Sequence, residues 1–197
     1  MPLFMMLLIR NSFEGREQRR SMLITISGYP LSGKGTVGRM LAQELMYRYW
    51  SAGDVWREEA AKLGISMTDF KQVLTADPSY DQLLDERQAA LHDQDALIID
   101  SRMGFHFLPI AFKVFLTVHP DEAAQRLLKA NRAMEVAGTA EEARAEIETR
   151  VACERTQYIR LYGVDHHDSR HYHVVIDTTA KTPEEVLALL MKEIPFI

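Results

Sequence analysis

The sequence predicts an α/β fold in which a parallel sheet is covered by helices on both of its faces. Continuous apolar runs occur at 96–100, 113–118 and 172–177, and runs without polar alternation are typical of strands that are buried on both faces. A further β-branched and apolar run, 22–26, leads into a glycine-bounded loop and then into a segment with helical periodicity. These observations together favour a parallel sheet with helices on either side.

The elements between these runs can be placed from capping and periodicity. The helix after the loop has apolar residues at spacings of three and four, and the aromatic run 47–50 can form a short strand. Three helices follow, for which Asp54, Thr68 and the segment 77–79 are the expected starts. Gly53 is a predicted turn residue, and Gly64 is predicted to end a helix. Gly138 interrupts a charged helical region, 120–162, and a final helix starts at Thr182-Pro183.

Size and composition fit one domain over residues 22–197. The chain has 197 residues, of which 47% are hydrophobic and 26% charged, and its formal net charge is −5. This length is sufficient for a core of its own, and an acidic chain lacks the basic face that nucleic acid requires. We therefore expect no nucleic-acid partner. The single cysteine, Cys153, excludes an intrachain disulfide and fits a reducing compartment, so we expect a cytoplasmic protein.

Residues 1–21 form an N-terminal extension whose role the sequence leaves open. Its apolar stretch, 2–9, is too short to span a bilayer and lacks a basic leader and a cleavage site. We therefore expect no membrane partner. The extension is either a dispensable arm, with Met22 as an alternative start, or an element that packs on the body or in a dimer. We favour the first interpretation and expect a monomer or a homodimer.

The loop after the first strand carries the pattern Gly-x4-Gly-Lys-Gly-Thr. Gly28 and Gly33 allow backbone conformations that a Cβ would forbid, so the amides can surround a phosphate at a helix N-terminus. Lys34 supplies a full positive charge towards the β- and γ-phosphates. The sequence thus predicts ATP binding here, with contacts from Gly28, Ser32, Gly33, Lys34, Gly35 and Thr36.

Charged residues follow the other predicted strands at the same edge of the sheet, where ligands of parallel sheets bind. Asp100 can hold Mg²⁺ directly or through water, together with Thr36, or it can cap its strand end. Arg57 and Arg102 are candidate clamps on phosphate or base. The charged helical region adds Arg126, Arg132, Arg150 and Arg155. Each arginine alone could be a solvated surface charge, but as a set they could stabilise a transferring phosphoryl group.

Such a transfer needs no protein nucleophile, because the phosphate oxygen of the acceptor attacks. The protein would contribute positioning, charge neutralisation and exclusion of water, and hence a closing lid. Two other groups have a simpler explanation. The histidine-rich run 166–173 could bind a metal, although a polar loop before the last strand is the expected interpretation. Trp50 and Trp56 could stack on a base, but we expect them to pack in the structure.

The motifs occur in the order and spacing of a known family. They are Gly28–Thr36, Ser51-Ala52-Gly53-Asp54 with Arg57, Asp85-Glu86-Arg87-Gln88, Arg102 with Gly104, and Tyr162-Gly163-x-Asp165 ahead of Val175–Thr178. In these features the chain resembles the short, archaeal-type cytidylate kinases among the P-loop nucleoside monophosphate kinases. The resemblance covers residues 22–194.

The resemblance implies a five-stranded parallel sheet, a helical flap that binds the nucleoside monophosphate (about 54–95) and a lid (about 136–163). It implies transfer of the γ-phosphate of ATP to CMP or dCMP with Mg²⁺. Arg57 would hold the acceptor's phosphate, Arg102 its base, and Arg150 the transferring phosphate. We expect Ser51, Asp54, Arg57, Arg87 and Arg102 to bind the substrate, Arg126 to contact ATP, and Lys34, Asp100, Arg150 and Arg155 to be the catalytic residues.

Three features depart from the family pattern. Leu31 stands where a small residue is usual, and Ser101 replaces a glycine before Arg102. In the lid, Val151 and Gln157 stand where relatives have an acidic and a second basic residue. Two alternatives therefore stay open: a kinase of another nucleotide or small acceptor, and a nucleotide-binding regulator without catalysis.

Overall fold

A computed structural model describes residues 21–133 and 138–195 of the chain. Residues 1–20 of the predicted extension and residues 136–137 of the predicted lid therefore lie outside the described residues. Within the described part, no helix is both long and apolar enough to serve as a membrane span.

The sheet has five strands in the order β2-β3-β1-β4-β5, and every neighbouring pair is parallel. The strands are β1 (Leu23–Gly28), β2 (Arg48–Ser51), β3 (Leu97–Asp100), β4 (Phe112–Thr117) and β5 (Val174–Asp177). The predicted parallel sheet is confirmed. Because β1 lies between β3 and β4, the loop that follows β1 leaves the centre of the sheet at the edge where ligands bind.

Eight α-helices lie between or after the described strands. They are α1 (Lys34–Leu45), α2 (Ala52–Leu63), α3 (Met67–Ala76), α4 (Ser79–Ala89), α5 (Gly104–Phe107), α6 (Pro120–Ala133), α7 (Ala140–Tyr162) and α8 (Pro183–Glu193). A 3₁₀ turn, Ser169–His171, precedes β5. The helices α2, α3 and α4 lie between β2 and β3 along the chain, and α7 alone spans most of the predicted lid.

Three apolar clusters hold these layers together. The largest joins the sheet to α1 and α8 through Ile24, Ile26, Leu41, Leu116 and Leu190. The second lies around Leu97, Ile99 and Leu108. The third lies between α6 and α7 and includes Ala123 and Ile147, with Tyr29, Leu31 and Val151 packed against it. The third cluster therefore joins the lid helix to the loop after β1.

One strand departs from the prediction of burial on both faces. Val175 of β5 is 46% exposed, because β5 is an edge strand with β4 as its partner in the sheet. The central strand β1, by contrast, is buried throughout. The continuous apolar run was therefore a reliable sign of a strand but not of the strand's position in the sheet.

Two predicted helix starts are wrong, and several helix ends are confirmed. Ser51, not Asp54, is the N-cap of α2, and Gly53 is helical. Ser66, not Thr68, caps α3, since its extended backbone lets its hydroxyl accept a hydrogen bond from the amide of Asp69. Gly64 ends α2, the charged region is divided into α6 and α7, and Thr182 forms a capping box before Pro183.

Candidate active site

The loop between β1 and α1 has the backbone that its glycines predict. Gly28 has φ +148°, and a Cβ there would lie 2.2 Å from the carbonyl oxygen of Leu116 on β4. Gly33 is the N-cap of α1 with φ +86°. Leu31, at φ +60°, also adopts a left-handed conformation, which explains why a small residue is usual at this position. Apolar contacts with the third cluster offset that strain.

Lys34 is folded back onto the loop that carries it. Its Nζ donates hydrogen bonds to the carbonyl oxygens of Gly28 and Tyr29, at 3.0 and 2.9 Å. Burial, followed by the charge of Arg102, lowers the pKa of Lys34 well below its usual range, while Asp100 and Glu154 act in the opposite direction. Arg150 also contributes to this field. The charges that act on Lys34 thus come from the end of β3, from the second residue after it, and from α7.

Asp100 ends β3 next to the first turn of α1. Its Oδ2 accepts a hydrogen bond from the Tyr49 hydroxyl at 2.9 Å, and burial together with the charge of Asp100 raises the pKa of Tyr49. Gly35 lies close to this carboxylate, since a Cβ there would be in van der Waals contact with the same Oδ2 at 3.5 Å. Thr36 is exposed on the same helix turn. Carboxylate and hydroxyl oxygens are ligands that suit Mg²⁺.

Arg102 and Arg150 share one carboxylate, that of Glu154. Arg102 makes a bidentate pair with Glu154, with N–O distances of 2.6 and 3.2 Å, and Arg150 donates from Nε at 2.9 Å. The side chains of Arg102 and Glu154 are 16% and 19% exposed. Burial by itself would raise the pKa of Glu154, but the charges and hydrogen bonds of the two arginines outweigh it and lower that pKa to about 2.

The remaining predicted arginines form other contacts. Arg57 pairs with Asp54, and Arg87 with Glu58 and Glu59 at 3.3 and 3.0 Å. The other two lie nearer the loop after β1: Arg126 donates to the carbonyl oxygens of Leu31 and Thr178, at 3.1 and 2.7 Å, and Arg155 donates from Nε to Asp165 at 3.0 Å. Arg132 lies in α6, but its side chain is outside the described part.

The structure therefore brings together Lys34, Asp100, Arg102 and Arg150, and it separates Arg57, Arg87, Arg126 and Arg155 into pairs or loop contacts of their own. Ser51 is buried at the start of α2. It is also the last residue of β2, where it lies opposite Asp100 of the neighbouring strand β3. The roles assigned to all of these residues stay predictions.

Sequence reasoning missed Glu154 and the contacts between the lid helix and α4. Glu154 lies four residues after Arg150, a spacing that places both on one helix face and that could have indicated the pair. Gln157 approaches Asp81 at 3.5 Å, and the hydroxyl of Tyr162 donates to Asp85 at 2.9 and 3.0 Å. No local pattern indicates these two contacts, because their partners are more than 70 residues apart.

The tryptophans pack as expected, whereas the histidine run is less polar than expected. Trp56 lies against Phe70, with ring centroids 6.1 Å apart, and Trp50 packs on the second cluster. His166 is fully buried, and burial, then the neighbouring His167, lower its pKa to about 3. The expectation of a polar loop therefore holds for only part of the run.

The parallel sheet, the glycine-bounded loop with its lysine, and the arginines that converge on it define a P-loop kinase of the nucleotide kinase class. Residues 23–180 match the model of the cytidylate kinase-like family. The cytidylate kinase of Methanothermobacter thermautotrophicus is 34% identical over 158 residues, which cover 80% of this chain and 95% of that protein. The chain belongs to the cytidylate kinase-like family.

Two further similarities bear on function and on fold. A protein of Lacinutrix mariniflava named S-adenosylmethionine-dependent nucleotide dehydratase is 34% identical over 171 residues, which are 86% of this chain but 35% of that protein. The chain thus matches about a third of that relative's length. Shikimate kinase from Bacteroides thetaiotaomicron aligns with a TM-score of 0.61 and 15% identity, over 87% of this chain and 97% of that one. At this identity the likeness concerns the fold alone.

Proposed function

We propose that the chain transfers the γ-phosphoryl group of ATP to the phosphate of CMP or dCMP. The observation that carries the proposal is the geometry of the loop after β1, where the Nζ of Lys34 lies 3.0 and 2.9 Å from the carbonyl oxygens of Gly28 and Tyr29 at the start of α1. A lysine from the loop, an acid at a strand end and two arginines from other elements are the groups that phosphoryl transfer requires. The archaeal relatives named cytidylate kinases support the choice of acceptor.

In this proposal the ATP phosphates lie against the amides at the start of α1. Lys34 would exchange the carbonyl oxygens of Gly28 and Tyr29 for phosphate oxygens, which are stronger acceptors because they are charged. Arg126 would support the loop from behind through Leu31. Asp100 and Thr36 would hold Mg²⁺, which neutralises charge on the phosphates when it is bound.

The acceptor would bind between the segment 54–95, as the flap, and the lid helix. Ser51, Asp54, Arg57 and Arg87 lie in or next to the flap, and Arg102 follows β3. Arg150 would leave Glu154 for the migrating phosphoryl group, since that group offers more negative charge than the shared carboxylate. Arg155 would act from the outer side of the lid only after it releases Asp165.

An ADP-release assay across CMP, dCMP, UMP, AMP, GMP and shikimate tests this proposal. We expect turnover with CMP or dCMP and at least about 10³-fold less with Lys34→Ala, because the transition state loses its nearest cation. Lys192→Ala is the matched control, since Lys192 is exposed in the last turn of α8 and should leave turnover unchanged. Turnover with none of these acceptors would contradict the proposal.

A second candidate is a kinase of a different nucleotide. The relative named as a nucleotide dehydratase motivates this candidate, because its name refers to a nucleotide. The same assay, extended to further nucleotides, would reveal such an acceptor. A regulator that binds nucleotide without catalysis is a third candidate, motivated by Val151 and Gln157 in the lid. Calorimetric binding of ATP without turnover on any acceptor would support it.

A further inference from the structure

His166 is a buried polar side chain whose ring nitrogens have no hydrogen-bond partner among the described residues. It is 0% exposed, and the two atoms without a partner are Nδ1 and Nε2. An unsatisfied buried polar group destabilises a fold, and buried polar groups in native structures are normally paired. Neither the packing of the fold nor the proposed phosphoryl transfer therefore explains why these two buried nitrogens are present.

Two further ligand groups lie beside this ring. One nitrogen of His166, one of His167 and a carboxylate oxygen of Asp165 all lie within 4.8 Å of one another, and the two imidazole rings are 4.0 Å apart between centroids. Two imidazoles and one carboxylate, with a fourth position open, form a ligand set that suits Zn²⁺. Mg²⁺ prefers oxygen ligands.

We propose that Asp165, His166 and His167 bind one Zn²⁺-class ion at the end of the lid helix. This site is distinct from the Mg²⁺ position proposed at Asp100 and Thr36, and it does not rest on the proposed kinase activity.

The surroundings of the three residues hold their backbone in place. Tyr172 donates from its hydroxyl to the carbonyl oxygen of His166 at 2.7 Å, and the amide of His167 donates to Asp165 at 3.0 Å. A cavity of about 590 Å³ lies next to the group and is lined in part by His167, Arg155 and Tyr29. Of the three residues, His167 is the one that lines this cavity, so an ion would approach the group from the side of His167.

Zn²⁺ and Arg155 compete for the same carboxylate. Arg155 donates to Oδ2 of Asp165 at 3.0 and 2.5 Å, so an ion bound to that oxygen would weaken or replace the ion pair. Arg155 also lines the cavity above Tyr29 of the loop after β1. Occupancy of the site would therefore change the position of an arginine that faces this loop.

Titration of the tag-free, metal-free full chain with Zn²⁺ alone, by calorimetry, tests the proposal. We expect one ion per chain, and visible absorption bands of tetrahedral Co²⁺ when Co²⁺ replaces Zn²⁺. His166→Leu and His167→Ala should each weaken binding by about 100-fold or more, since each removes a direct ligand and even outer-shell changes reduce affinity by about 10- to 100-fold. Leucine at 166 also removes both unpaired nitrogens, so that variant should retain its fold.

The matched control is His92→Ala. His92 also contacts an aspartate, Asp93, at 3.1 Å, but on the surface, and its loss should leave Zn²⁺ affinity unchanged. Arg155→Gln should tighten binding by about 2- to 5-fold, as expected when an exposed ion pair no longer competes. The proposal would be overturned if no one-to-one binding is seen at about 100 µM Zn²⁺. That result would mean a binding free energy weaker than about −5.5 kcal/mol. Binding that His166→Leu leaves intact would also overturn the proposal.

Discussion

Glu154 contacts both of the arginines that the sequence analysis assigned to the substrates. It accepts hydrogen bonds from Arg102 and Arg150 and lies in the field that acts on Lys34. Without substrates, a carboxylate of this kind neutralises two cations that would otherwise repel each other. It thereby prepares the site for a ligand of the same charge.

Glu154→Gln should lower the stability of the fold in a pH-dependent way. A pKa lowered from its usual 4.5 to about 2 corresponds to about 3 kcal/mol of stabilisation. Because the folded-state pKa is the lower one, this contribution is complete above pH 4.5 and is lost as the pH falls towards 2. Urea unfolding of wild type and variant across this range should show a difference of about 3 kcal/mol at pH 7 that shrinks towards zero near pH 2.

Glu148→Gln on the same helix is the control for this measurement. Glu148 pairs with Arg144 at the exposed surface, so its loss should change the free energy of unfolding by about 0.5 kcal/mol or less. A Glu154→Gln difference that is the same at pH 7 and pH 2.5 would contradict the assigned cause.

Arg150→Ala should slow turnover far more than it weakens ATP binding. We expect a loss of about 10²- to 10³-fold in kcat and a change in the Kd for ATP of less than about 10-fold, the pattern of an interaction made in the transition state. Steady-state kinetics and calorimetry measure the two quantities. The control is Arg144→Ala, because Arg144 lies on the same helix and pairs with Asp121 and Glu148; its loss should leave kcat unchanged. An unchanged kcat in Arg150→Ala would mean that the role of Arg150 is wrongly assigned.

At the scale of elements, the loop after β1 and the helix α7 pack against the same apolar cluster. Tyr29 and Leu31 of the loop lie against the third cluster, as does Val151 of the lid. This contact gives a physical reason for the departure at 151: the residue faces apolar side chains of the loop, where an acidic side chain would be desolvated. The same cluster offsets the left-handed backbone of Leu31.

Gly28→Ala and Gly33→Ala should differ in their effect on stability. Alanine at 28 would place Cβ 2.2 Å from the Leu116 carbonyl oxygen and would push β1 and β4 apart, whereas at 33 no atom lies within 4 Å. We expect a loss of more than about 3 kcal/mol for Gly28→Ala, an exceptional effect, and about 1–2 kcal/mol for Gly33→Ala from its backbone conformation alone. Chemical denaturation measures both, and equal losses would contradict the steric argument.

At the scale of the whole molecule, the strand order places the loop after β1 between the ends of β3 and β4, and α7 contacts α4 through polar pairs. Gln157 lies near Asp81, and Tyr162 donates to Asp85. Gln157 thus approaches the carboxylate of Asp81 on α4 with its amide group. These pairs connect segments that are more than 70 residues apart in the sequence.

Tyr162→Phe should loosen the contact between lid and flap. It removes the hydrogen bonds to Asp85, whose pKa burial raises, and should lower the free energy of unfolding by about 1 kcal/mol. Tyr80→Phe, which removes a hydroxyl from α4 but keeps the ring contact with Phe70, is the control. Amide hydrogen exchange should show faster exchange in α4 and in the last turns of α7 for Tyr162→Phe only.

The sequence alone determined the elements that depend on local chemistry. The apolar runs, the glycines of the loop after β1, the break near Gly138 and the Thr182-Pro183 start act through neighbours in the chain, so they can be seen without the fold. The wrong caps at Asp54 and Thr68 arose where several polar residues compete locally for one helix start.

Only the tertiary structure decided which charges meet. Lys34, Arg102 and Glu154 come from three separate segments, and their distances depend on the strand order and on where the lid helix packs. The burial of His166 likewise depends on Tyr158 and Tyr172, whose positions are determined by long-range packing. Local patterns indicate which side chains can do chemistry, but long-range packing determines which of them are close enough to act together.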